Sequence, residues 1–419
     1  MTIKKISKQI AQNAKNSSTQ IANLGTDLKN QILLKVAKNL KDNIAKIIAA
    51  NKRDVALAIQ NNLEAAKIDR LTVDDARLHN LADAIVQIAH LPNPVGKVLY
   101  ETTRPNGLHI KRVSVPIGVL LAIYEARPNV TSDIAALGFK SGNAVILRSG
   151  KECFETSKTI AEIYQNTLRE FDVNPACISY VESTDRDYVK ELLKLDDLID
   201  VVVPRGGKDL IKAIMKNTKI PLFKHLDGNC HTYVQSSADL IKAVKIVANA
   251  KMRRVGICGA TESLVIDKKI AAEFLPKIVD ELNALGCEVR GDKIAQKLDS
   301  RIKAATSKDF YTEFLDKIIS VKIVKDIDGA ITHINQHSSK HTESIITEDK
   351  DAAKKFQANI GSAIVMHNAS TQFADGGEFG LGAEVGISTG KLHARGPVGL
   401  EQLTTYKYVV EADCAVRAA

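Results

Sequence analysis

Cys258 lies in the run Arg253-Arg254-Val255-Gly256-Ile257-Cys258-Gly259-Ala260-Thr261-Glu262-Ser263, where small residues flank one thiol just ahead of an apolar, strand-like segment. A thiolate attacks acyl carbons well, and Gly256 and Gly259 leave room for a substrate and a cofactor ring to approach the backbone and the sulfur. Free cysteine is also among the most buried residue types, so on this segment alone a packing role stands beside the nucleophilic one.

Four further segments carry side chains suited to the same chemistry. Tyr124-Glu125-Ala126-Arg127-Pro128-Asn129-Val130-Thr131 follows a strongly apolar run, and a polar loop at the carboxyl end of a parallel strand is where α/β domains bind ligands. Asn129 has an amide N–H able to donate to the oxyanion that forms when a thiolate adds to a carbonyl; a turn residue after proline is the alternative. Ile146-Leu147-Arg148-Ser149-Gly150-Lys151-Glu152 and Val203-Pro204-Arg205-Gly206-Gly207-Lys208 each end a strand-like run with cations at a helix start. Gly-rich helix starts bind anions through free backbone N–H groups. Arg148, Lys151, Arg205, Gly206 and Gly207 are therefore candidate contacts to a phosphorylated cofactor, and Arg148 or Lys151 could pair with a ribose 2′-phosphate and favour NADP over NAD. Neither run is G-x-G-x-x-G, and each also reads as a solvated helix start. The stretch from Asn368 to Ile387 is dense in glycine, which suits a loop whose N–H groups hold an anion such as a substrate carboxylate, or a flexible connector.

Metal chemistry is not expected. His333, His337 and His341 recur every four residues, but Ser338 and Ser339 interrupt the helical pattern and no carboxylate partner stands at fitting spacing. Six scattered cysteines without a Cys-x-x-Cys pair suit a reducing compartment and argue against a disulfide framework. The net charge of +9 is spread over Lys-rich helical faces that alternate with Asp and Glu. With no Trp and few aromatics, stacking platforms for nucleic acid are missing, and an acidic small-molecule substrate explains the bias equally well. No apolar run spans a bilayer, and the polar first residues lack a signal-peptide core, so a cytoplasmic protein is expected.

The elements that must position these residues follow from periodicity. Residues 3 to about 90 show apolar spacing of three and four, as in Ile32, Leu33, Val36 and Leu40, which predicts an opening helical layer. Leu91-Pro92-Asn93-Pro94 stops it, and Val98 to Val115 around Arg104-Pro105-Asn106-Gly107 predicts a hairpin. Strand-like runs at 117–123, 144–147, 178–181 and 199–203 alternate with helical stretches, which predicts a doubly wound parallel sheet. After a helix over 238–253 the alternation restarts at 263–266, 318–324, 343–346 and 363–366, so a second α/β domain is expected from near residue 250.

Taken together these segments resemble, nearly end to end, the γ-glutamyl phosphate reductases, or glutamate-5-semialdehyde dehydrogenases, of the aldehyde dehydrogenase superfamily. The likeness is carried by the 124–131 segment, Pro204-Arg205-Gly206-Gly207, His225-Leu226-Asp227-Gly228-Asn229-Cys230-His231, the Cys258 segment and the stretch Val324 to Ile345. The Gly-rich loop and Arg395-Gly396-Pro397-Val398-Gly399-Leu400-Glu401-Gln402-Leu403-Thr404 add to it.

The resemblance implies an aldehyde-dehydrogenase-like α/β fold of two doubly wound parallel-sheet domains plus a small β flap for homo-oligomerisation. Residues 1–97 and 116–250 would form the cofactor domain, 251–375 the catalytic domain, 98–115 and 400–419 the flap, and 376–399 a Gly-rich substrate loop and return segment. It implies NADPH-dependent reduction of L-glutamate 5-phosphate to the semialdehyde in proline biosynthesis, with Cys258 as nucleophile and thioester carrier and Asn129 as oxyanion donor. Arg127, Gly376, Gly377 and Glu378 become candidates for holding the glutamate. Hydrolytic superfamily members carry a Glu that activates water, and the matching position here is His225; losing that base favours phosphate release without hydrolysis. A hydrolytic NAD(P)-dependent aldehyde dehydrogenase and a catalytically silent scaffold are the rival readings. Three positions depart from the family pattern: Ser149 where Gly is usual, Gly259 where Asn commonly follows the nucleophile, and Gln372 where Arg is common.

Overall fold

A computed structural model describes residues 2–417. Residues His225–Phe379 and Ile387–Pro397 form one compact unit, and the remaining described chain forms the other.

The first unit opens with helices Ile3–Ala22, Thr26–Asp42, Ile44–Gln60, Ala65–Leu71 and Asp75–His90. Ile32, Leu33, Val36 and Leu40 make one buried face of the second helix, as the spacing predicts. Asp74 caps the fifth by accepting from the Arg77 N–H at 2.7 Å. A parallel sheet follows in the order Ile178–Tyr180, Ala144–Ser149, Val119–Tyr124, Val201–Arg205. Every residue of its two central strands is buried, which is why 119–124 and 144–147 are apolar without alternation. The last strand starts two residues later than the apolar pattern suggests, because Leu198 and Ile199 pack into the core from the preceding turn. The expected hairpin forms from Val98–Thr103 and His109–Pro116. Thr404–Glu411 pairs antiparallel with its second strand to complete a three-stranded sheet. Gly107 closes the hairpin turn at φ +84°, a conformation that favours glycine.

The second unit holds a seven-stranded, wholly parallel sheet in the order Lys303–Ala304, Glu288–Gly291, Ile318–Val324, Thr261–Asp267, Cys230–Val234, Thr342–Ile346, Ile364–His367. The expected boundary near residue 250 is therefore corrected to 224/225. Cys230–Val234 is fully buried between Thr261–Asp267 and Thr342–Ile346, yet His231 and Thr232 break its apolar pattern and hide it from periodicity. The helix Leu240–Met252 then becomes a crossover inside this unit instead of a link between domains. Leu264, Phe274, Ile278, Val321 and Ile346 centre its core. Among the described residues no helix is long and apolar enough to cross a membrane.

Candidate active site

Cys258 sits three residues before the strand Thr261–Asp267, His225 five before Cys230–Val234, and His341 one before Thr342–Ile346. These three strands are adjacent and parallel, so their amino ends lie along one edge of the sheet. Residues 33 and 83 positions apart in the chain are thereby gathered, and the Cys258 Sγ and one nitrogen of each imidazole lie within 4.8 Å of one another. Cys258 is half-buried and His341 fully buried. The His225 Nδ1–H donates to the Ile387 carbonyl at 2.9 Å, which leaves the lone pair on Nε2. Burial, with His225 beside it, pushes His341 down to about 3, so that imidazole is neutral at physiological pH.

The backbone around Cys258 is held on two sides. Gly228 approaches so closely that a Cβ there would stand 2.0 Å from the Cys258 carbonyl oxygen. Its own N–H donates to Glu313 at 2.7 Å, and the Cys230 thiol donates to the Cys258 carbonyl at 3.1 Å. Burial raises the Cys230 pKa well above the usual range and keeps that sulfur a donor. Gln372, a departure from the family pattern, accepts from the Arg253 Nε–H at 3.0 Å and donates to the Ala250 carbonyl at 2.9 Å, tying down the segment that leads to Cys258. Gly259 lies against the Thr371 carbonyl, where a Cβ would sit at 3.1 Å, so this chain leaves little space for a side chain after the nucleophile.

The His333, His337 and His341 series is split by the fold. His333 and His337 stack with ring centroids 4.1 Å apart at the end of helix Ile327–His337, against Phe310 and Tyr311, while His341 turns toward Cys258. Burial is the first cause pushing His333 down to about 2. Sequence reasoning weighed His341 in the wrong group and missed its pairing with His225. For His341 the signal was the strand-like run at 343–346 just after it; His225 had none, because polar residues hide the strand Cys230–Val234.

In the first unit the candidates occupy the carboxyl ends of three adjacent parallel strands, the usual ligand edge. Asn129 begins the helix Asn129–Lys140, and its Nδ2 donates to Asp133 Oδ2 at 3.0 Å, which orients the amide. Burial pushes the Asp133 carboxyl up to about 6 against the opposing pull of Asn129 and Arg205. Arg127 precedes this helix, and the adjacent Ala126 is held at φ +46° while its N–H donates to Glu152 at 3.1 Å. Such a conformation costs roughly 1–2 kcal/mol in an L-residue and needs that support.

Gly207 caps the helix Lys208–Asn217 without a side-chain hydrogen bond, and a Cβ on it would meet nothing within 4 Å. That open N-terminus fits a phosphate, with the Gly207 N–H now making a long 3.4 Å contact to Glu125. Gly206 is needed for close packing, since a Cβ would stand 2.6 Å from Glu125. The Arg205 guanidinium lies under Gly386, whose φ of +143° and missing Cβ admit it. Lys151 is exposed. Arg148 differs from expectation: it is buried and donates to the Thr184 carbonyl at 3.0 Å, so it braces a loop. Ser149 bonds to the Tyr180 hydroxyl at 2.7 Å behind the turn. In the Gly-rich loop the Gly377 N–H donates to Asp375 at 2.8 Å and the Glu378 N–H contacts the same oxygen at 3.4 Å, so both amides serve the loop's own turn; Gly376 lies between these residues.

The sequence model of the aldehyde dehydrogenase family matches residues 3–300. The γ-glutamyl phosphate reductase of Erythrobacter litoralis is 49% identical over 409 residues, covering 98% of this chain and 97% of its own. That of Parvibaculum lavamentivorans is 50% identical over 406 residues, covering 96% of each. The crystal structure of the γ-glutamyl phosphate reductase from Thermotoga maritima superposes with a TM-score of 0.96 at 42% identity, covering 98% of this chain and all of that one. A chain so similar along its whole length, with a thiol so placed, belongs to the aldehyde dehydrogenase family and, within it, to the γ-glutamyl phosphate reductases.

Proposed function

We propose that this protein reduces L-glutamate 5-phosphate to L-glutamate 5-semialdehyde with NADPH, releasing phosphate, as the second step of proline biosynthesis. The observation that carries the reading is the Cys258 thiol, half-buried with its backbone clamped by Gly228 and Cys230, in a chain about half identical to reductases of that name. On this reading the Cys258 thiolate attacks the acyl phosphate carbon, the C–O bond to phosphate breaks, and a thioester remains. Asn129, oriented by Asp133, donates to the acyl oxygen as negative charge develops there. A nicotinamide cofactor held at the Gly206–Gly207 turn and Lys151 would supply the hydride that the acyl carbon accepts. The resulting thiohemiacetal takes a proton and releases the aldehyde as the thiol is restored.

Lys151 and the Gly206–Gly207 turn, with Arg205 beside it, are assigned to the cofactor phosphates, and Lys151 gives the preference for NADPH. Arg148 braces the loop at Thr184. Arg127 and the Glu378 side chain, the latter on the loop that includes Gly376 and Gly377, are assigned to the glutamate end of the substrate, while the Gly377 amide holds the loop's own turn. His225 stands where hydrolytic relatives carry a glutamate, and its Nδ1–H is held by the Ile387 carbonyl; the absence of that carboxylate supports phosphate exchange over hydrolysis. The sheet carrying exposed Tyr100, Tyr406, Tyr408 and Val410 is assigned to homo-oligomerisation, and a wild type that sediments as a monomer would refute this. Six free thiols suit the cytoplasm.

The reverse reaction tests the reading. NADPH formation from NADP+ and glutamate 5-semialdehyde should require phosphate and vanish in Cys258→Ser. Turnover indifferent to phosphate would establish the hydrolytic dehydrogenase instead.

A further inference from the structure

The pairing of two imidazoles with the thiol has a chemistry of its own. One thiolate and two neutral imidazoles are a ligand set for a borderline-soft divalent cation, and three protein ligands leave a fourth position open. We propose that His225, Cys258 and His341 form a binding site for Zn2+, and that Zn2+ reversibly withdraws the thiol from reaction.

Several observations support the site. The three donor atoms lie within 4.8 Å of one another, and a tetrahedral ion with bonds of roughly 2.0–2.3 Å needs donors somewhat closer than that, a difference that side-chain rotation supplies. His341 is fully buried, its Nδ1 engages the Thr342 hydroxyl at 2.8 Å, and its Nε2 is buried without a hydrogen-bond partner. A buried, unpartnered nitrogen beside a thiol is a ligand atom in waiting, since leaving it unmet costs free energy that a metal bond removes. His225 has the outer partner typical of a metal-bound imidazole: its Nδ1–H donates to the Ile387 carbonyl and presents Nε2 as the ligand. Each ligand stands at the amino end of a neighbouring buried strand, so the set rests on rigid elements. His333 and His337, stacked on each other, are not part of it.

Binding does not depend on the proposed reaction, but its effect on turnover rests on Cys258 being the nucleophile. The test measures both separately, in a Cys414→Ser background that removes the exposed thiol. Iodoacetamide alkylation of Cys258, located by peptide mass, is followed with and without one equivalent of Zn2+. Co2+ is used as the spectroscopic probe for thiolate coordination. Expected is protection of Cys258 in the parent, a thiolate-to-Co2+ charge-transfer band lost in Cys258→Ser, and Zn2+ affinity lower by about tenfold or more in His341→Ala and in His225→Ala. The half-buried His225 supplies the variant should the buried His341 not tolerate replacement. Equal protection in parent and histidine variants would show binding by the thiol alone and overturn the site, as would an absence of protection. Cys258-dependent turnover that ignores Zn2+ at protecting concentrations would overturn the proposed withdrawal. Zinc binding in a protein whose turnover survives Cys258→Ser would instead refute the reaction and leave the site standing.

Discussion

Gly228→Ala adds one methyl at the point where the chain before Cys230–Val234 presses on Cys258. The new carbon would stand 2.0 Å from the Cys258 carbonyl oxygen and 2.6 Å from its Cα. Real Cβ contacts do not fall under 3.0 Å, and the neighbouring atoms are backbone and not the end of a flexible side chain, so the two segments must part by about 1 Å. The Gly228 N–H is anchored on Glu313 at 2.7 Å, so part of the separation falls on the Cys258 segment and displaces its sulfur. Misplacing a reacting group by about 1 Å costs on the order of 10²-fold in rate, or about 2.7 kcal/mol of transition-state stabilisation. The assay is kcat/KM for phosphate-dependent semialdehyde oxidation, run beside near-UV circular dichroism to confirm a native core. Gly25→Ala is the control, because a Cβ at Gly25 meets nothing within 4 Å, and it should behave as wild type. A folded Gly228→Ala enzyme within about threefold of wild type would refute the reasoning that this contact positions the thiol.

Lys29 is fully buried, its Nζ has no hydrogen-bond partner, and burial together with nearby Lys140 pushes its pKa down from 10.5 to about 8. Between those two values the unfolded chain holds a proton that the folded chain has released, so stability rises as pH climbs through that window. Lys29→Met, which leaves no buried charge, should stabilise the protein at neutral pH by up to about 3 kcal/mol and flatten that rise; equal denaturant midpoints near pH 7 would count against it. Burial pushes Asp133 up to about 6, and protonation below that value removes the negative charge that strengthens its hold on the Asn129 amide, so kcat/KM should fall as pH drops through about 6. Asp133→Asn keeps an acceptor but does not titrate, and pH profiles of the two enzymes that superimpose would remove Asp133 from the account.

Much of this protein is written locally. The apolar faces of the first helices, the hairpin at Arg104–Gly107 and the unbroken apolar runs 119–124 and 144–147 follow from short-range periodicity and turn chemistry, because burial on one face or on two imposes those patterns directly. The glycines and cations at 205–208 likewise mark a helix start, and the structure has one there. Cys230–Val234 was not legible in this way, since its polar side chains face neighbours far along the chain: His231 Nδ1 lies 3.1 Å from the Glu343 carboxylate and the Thr232 hydroxyl pairs with that of Thr261 at 2.7 Å.

The same limit governs the candidate site. Residue types alone determined that a thiol between glycines could act as a nucleophile and that basic turns could meet phosphate. Whether Arg148 faces a ligand or a loop, whether Gln372 replaces a substrate contact or anchors a backbone, and which histidine joins Cys258 were decided only by tertiary structure. The physical reason is that a side chain's partner is set by strand order. Thr261–Asp267, Cys230–Val234 and Thr342–Ile346 lie side by side although their order in the chain differs, and it is this parallel adjacency that brings residues 225, 258 and 341 to one edge.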